Sequence, residues 1–148
     1  MASIDSVGQN TQDSFGNFRI ASTTSPISLS ATGNAVVALP FLKGGTGGTS
    51  QYIVRRITVA NLTNSAGGTA PNAATANISI GQTNDGGNLV ANAQVLTNLT
   101  GANTYADLVL SGTANASTLS ANALFVNVGT SVANAQCFIS VYGDVVTF

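Results

Sequence analysis

The chain has no histidine, no glutamate and no tryptophan, a single cysteine, a single methionine and only four basic residues among its 148. Each absence closes a class of function. Without histidine or glutamate, the five aspartates form no acid and base pair at a readable spacing, and no hydroxyl has an obvious partner to activate it. The chain therefore reads as a non-enzyme with no cofactor. Cys137 alone allows no intrachain disulfide, and a metal ligand or nucleophile would need histidine or further cysteine beside it. Sharing a strand face with Ile139 and Val141, it is expected as a small buried hydrophobe. Arg19, Lys43, Arg55 and Arg56 are too few for a nucleic-acid footprint. No run of about 18 apolar residues could cross a membrane as a helix, and the first residues lack the basic and then apolar pattern of a secretory signal.

Charge as a whole is scarce. Charged residues are 6% of the chain and its formal net charge is -1, where about 25% charged is usual for a soluble domain. What fills the sequence instead is alanine, glycine, asparagine, serine and threonine, together more than half of it. Such a surface is polar but nearly uncharged, and burying neutral hydroxyls and amides costs much less than burying ions. It suits close contact with other protein. The larger apolar residues still suffice for a two-layer core, and the length is that of one domain.

The longest β-branched and aromatic run is Gln51 to Leu62, uninterrupted by glycine or proline. Strict alternation sends Ile53, Arg55, Ile57 and Val59 one way and Tyr52, Val54, Arg56, Thr58 and Ala60 the other. Both faces are then largely apolar, as in a central strand covered by a second layer on one side and by another element or subunit on the other. Shorter strands are expected at Phe15–Ile20, Ile27–Leu29, Ala35–Leu39, Ala76–Gly81, Tyr105–Leu110, Ala123–Val128 and Gln136–Tyr142, with Val145–Phe148 continuing the last. Between Asn88 and Leu99 a helical template captures Leu89, Ala93 and Leu96. Period two captures Leu89, Ala91, Ala93, Val95 and Leu99, so a strand is predicted. The turns are Thr32-Gly33-Asn34 and an Asp-Gly turn within Gln82–Gly87.

These segments predict an all-β fold, a single sandwich of about eight strands over residues 15–148, preceded by a polar extended arm, residues 1–14, that cannot order itself alone. The glycines of Lys43–Ser50 do not follow the phosphate-loop spacing and read as a flexible connection. Thr63–Ala76 reads as a second such loop. Asp85 stands without the neighbouring carboxylates a calcium loop needs, so no metal is expected. Four Asn-x-Ser/Thr matches, at Asn61, Asn77, Asn98 and Asn115, are what chance gives in so asparagine-rich a chain.

Arg55 and Arg56 are adjacent on the central strand, so alternation turns one of them toward the better-buried layer. An unpaired guanidinium there is costly. Asp107, midway along its own apolar strand, is the candidate partner for one of them, and the alternative is that both arginines reach solvent.

The segments Tyr52-Ile-Val-Arg-Arg-Ile-Thr-Val-Ala-Asn, Ala76-Asn-Ile-Ser-Ile-Gly, Tyr105-Ala-Asp-Leu-Val-Leu, Ala123-Leu-Phe-Val-Asn-Val-Gly and Val141-Tyr-Gly-Asp-Val-Val together resemble the small β-sandwich structural proteins of tailed-bacteriophage heads. In particular they resemble the decoration, or cement, proteins of the capsid exterior. The resemblance covers residues 51–148. It implies a jelly-roll-like domain whose partner is the major capsid protein, assembled in the host cytoplasm onto the maturing shell, often as a homotrimer. A second reading is a carbohydrate-binding sandwich of a fibre or adhesin; that reading wants solvent-facing aromatics, and with no tryptophan and only Tyr52, Tyr105 and Tyr142 the supply is thin. A third is a tail or head-completion protein.

Overall fold

The structure, a computed structural model, describes residues 18–33, 38–40, 50–84, 89–112, 114, 118–119 and 123–147. The arm at 1–14, the glycine loop at 43–49 and Asp85 lie outside these residues. The described residues form nine strands: β1 (Phe18–Ser22), β2 (Ile27–Ser28), β3 (Ala38–Pro40), β4 (Ser50–Asn64), β5 (Asn77–Gly81), β6 (Leu89–Val95), β7 (Tyr105–Asp107), β8 (Ala123–Thr130) and β9 (Ala135–Thr147). They make two antiparallel sheets, ordered β1-β9-β4-β7 and β3-β8-β5-β6, with β2 also paired to β9.

The pairings nest. β1 and β2 pair with β9, β3 with β8, β4 with β7 and β5 with β6, the pattern of one long antiparallel ribbon rolled into two layers. That is a jelly roll. Ile57, Val59, Ile139 and Val141 from the first sheet and Ile78, Ile80, Leu124 and Val126 from the second are fully buried between the layers. Two crossings tie the edges together. The Leu108 amide donates to the Ile57 carbonyl at 2.9 Å, and three residues on the Ser111 amide donates to the Val90 carbonyl at 2.7 Å, so this segment passes from one sheet to the other. On the opposite side, β2 runs beside β9 and Gly33 then bridges to Val128 of β8. Ile27–Leu29 and the strand after it therefore do not pair across their turn; they belong to different sheets.

β4 is central to its sheet, as the run of β-branched residues predicts, but its alternation is broken twice. Val54 faces Gly143 and Arg56 faces Tyr142, which leaves Arg55 as an extra residue. Ala60 faces Phe138 and Thr63 faces Gln136, with Asn61 in the left-handed region at φ 55°. Both are β-bulges, each inserting one residue that the partner strand does not match. The buried set is consequently Tyr52, Val54, Ile57, Val59 and Leu62. At the first bulge the backbones press together so closely that a Cβ on Gly143 would sit 1.9 Å from the Ile53 carbonyl oxygen. Only glycine fits there.

Irregularity also corrects the facing of β6. The strand is present, yet Val95 is 56% exposed and Ala93 takes a positive φ of 46°, while Val90 and Ala91 are buried. Register shifts against β5 account for this departure from period two. β7 is shorter than expected, because the chain leaves the first sheet after Asp107. β9 is longer, running through Tyr142 to Thr147 as one strand.

Candidate interaction surfaces

Cross-strand neighbours share a face. Tyr142 of β9 lies opposite Arg19 on one side and Arg56 on the other. The Arg56 guanidinium carbon is 5.8 Å from the Tyr142 ring centroid, a cation–π distance. Arg56 Nε also donates to Asp107 Oδ1 at 3.0 Å, and Thr58 Oγ1 donates to the same oxygen at 2.6 Å. Arg55 Nε donates to Asp144 Oδ2 at 3.1 Å. The hydrogen bond to Asp107 raises the pKa of Arg56, outweighing slight desolvation. All five charged residues among those described lie on this outer face of the first sheet.

The expectation that one arginine turns inward is corrected by the bulge. It adds a residue at Arg55, so Val54 and Ile57 both face the core and both arginines face out. The side chains of Arg56 and Asp107 are 46% and 43% exposed. The partner of Arg55, Asp144, is not evident from the sequence, where β9 is expected to break after Tyr142. Its signal is the alternation Tyr142, Asp144 within an unbroken strand.

The outer face of the second sheet is different in kind. Asn77, Ser79, Phe125 and Asn127 are half-buried on it, Val95 is exposed beside Asn77, and the described residues include no charge there. Among the described residues, one side of the sandwich is thus ionic and the other is amide, hydroxyl and hydrocarbon.

Of the three tyrosines, Tyr52 is buried, Tyr142 is half-buried and Tyr105 is 55% exposed. Tyr105 lines an open depression of 480 Å³ with Asn98, Asn103, Thr104 and Asp107. Cys137 is fully buried, and desolvation pushes its pKa up to about 12, which removes it as a nucleophile at neutral pH. Among the described residues no group of three His, Cys, Asp or Glu could hold a metal ion, and no helix is long and apolar enough to cross a membrane. Compared with known proteins, the chain matches no family model, no curated protein and no solved structure.

Proposed function

We propose that the chain is a non-enzymatic structural protein of a phage virion, a decoration protein that sits on the capsid exterior and reinforces the shell by bridging major capsid protein subunits. The observation that carries this reading is the segregation of charge. A face that must be desolvated against a protein partner costs least when it holds no ions, and among the described residues the outer face of the β3-β8-β5-β6 sheet carries none while the opposite face carries five. The jelly roll supports the reading only by analogy, since viral shell proteins and lectins share it. A homotrimer is the favoured assembly, on the resemblance of residues 51–148 alone. The polar sequence of residues 1–14 suits a second contact, since an arm of this kind can add to a sheet edge on the shell through main-chain hydrogen bonds.

Cosedimentation with undecorated shells tests this. Val95→Lys places an ion in the proposed contact and is expected to weaken binding at least about tenfold, the equivalent of about 1.4 kcal/mol. Arg19→Ala, on the ionic face, is expected to bind as the parent does. A chain starting at Ser14 is expected to stay folded and bind many-fold more weakly. Equal binding by the Val95→Lys variant and the parent would move the contact off this face.

A further inference from the structure

The depression beside β7 has no part in the contact just proposed, and its chemistry is specific. Tyr105, on the edge strand of the first sheet, lines it and is 55% exposed. Around it stand the amides of Asn98 and Asn103, both exposed and neither hydrogen-bonded through its side chain to a described residue. Asp107 closes one side. Its Oδ1 is held by Arg56 and Thr58, and its other oxygen accepts no bond from a described residue. The volume of 480 Å³ lies within the range of about 300–1,000 Å³ common to small-molecule sites.

The loop forming this rim is built in advance. Leu96 and Leu99 are fully buried and anchor it, and the Ala73 amide donates to the Leu99 carbonyl at 3.0 Å. Thr104 Oγ1 accepts from the Thr100 and Gly101 amides, both at 3.0 Å, and donates to the Gly101 carbonyl at 2.7 Å. The backbone that carries Asn98, Asn103 and Thr104 therefore needs little ordering when a ligand arrives.

We propose that this depression binds a neutral saccharide unit. A pyranose has an apolar C–H face, which an exposed aromatic ring can cover, and a rim of hydroxyls that both donate and accept. The two amides offer both functions, and the second carboxylate oxygen, unbonded to any described residue, can accept from a hydroxyl. Other ligand classes fit less well. A phosphate or nucleic-acid ligand would meet the Asp107 carboxylate, with Arg56 already engaged by it. A cation would find one carboxylate where several oxygens are needed. The site lies on the ionic face, so a chain attached to a shell through its uncharged face would display it outward. It stands on its own geometry and does not depend on the shell reading.

The test is an amide-resolved NMR titration of the full chain with maltohexaose, cellohexaose and chitohexaose, each to about 10 mM, well above a millimolar Kd. Saturable shifts confined to residues 98–107 are expected with at least one of them. Tyr105→Ala is expected to weaken that binding about tenfold, Tyr105→Phe to keep it because the ring remains, and Tyr142→Ala to leave it unchanged. Because Tyr105 is exposed, these variants are expected to keep the fold, and the rest of the spectrum reports whether they do. No saturable shift with any of the three sugars, or shifts equally strong in the Tyr105→Ala variant, would overturn the assignment.

Discussion

Among the described glycines, Gly143 has the least latitude. A methyl group there meets the Ile53 carbonyl oxygen at 1.9 Å, so β4 and β9 must separate at the bulge. Gly143→Ala is expected to cost about 1–3 kcal/mol or more in urea denaturation. The charged residues nearby behave oppositely. Because Arg56 and Asp107 are almost half exposed, Asp107→Ala is expected to cost no more than about 1 kcal/mol, the scale of a surface ion pair. A loss of about 3 kcal/mol or more would mean the pair is desolvated after all. Cys137 links stability to pH. Its thiol is neutral when protonated, and burial holds the proton to about pH 12 in the folded state, against an ordinary value of 9.0. Between those values the folded state binds more protons, so this contribution is complete below about pH 9 and is lost as pH rises through the window. Denaturation from about pH 8 to about pH 11 is expected to show a steeper decline for the parent than for Cys137→Ala. Parallel declines would contradict it.

At the scale of the strand, the two bulges of β4 decide which side chains face where. Residue type and period located this strand well, because Ile, Val, Thr and Tyr favour a pleated surface whatever the register. Period two could not reveal the bulges, since an inserted residue is visible only against the partner strand. This is why Asp107 was legible as a partner for the arginine pair while the depth of that pair was not. It is also why Val95, assigned inward by alternation, lies exposed. Tyr105 could be singled out as an aromatic, but the depression needs a loop whose fold depends on Thr104 bonding back to Thr100 and Gly101. The bulge itself makes a prediction. Removing Arg55 leaves Val54 and Ile57 facing the core with one outward residue between them, so the deletion is expected to retain a cooperative melt. Removing Val59 turns the remainder of the strand onto the wrong face and is expected to abolish it.

For the whole molecule, the scarcity of charge was plain in composition, and so was an all-β sandwich, because short apolar runs with glycine and asparagine between them leave little else. What composition could not show is that the five charged residues among those described gather on one side. Neighbours in the sequence such as Arg55 and Arg56 reach that side through a bulge, and Asp107 and Asp144 reach it from other strands. The resulting two-faced sandwich is the basis for proposing that it reinforces a shell through its uncharged face. The most direct measurement is the thermal melting of undecorated shells as the purified chain is added. The account predicts that the shell transition rises with added protein and saturates at a fixed ratio of chain to capsid subunit, as for any ligand that binds only the assembled state. A shell transition that does not move at saturating protein would contradict it.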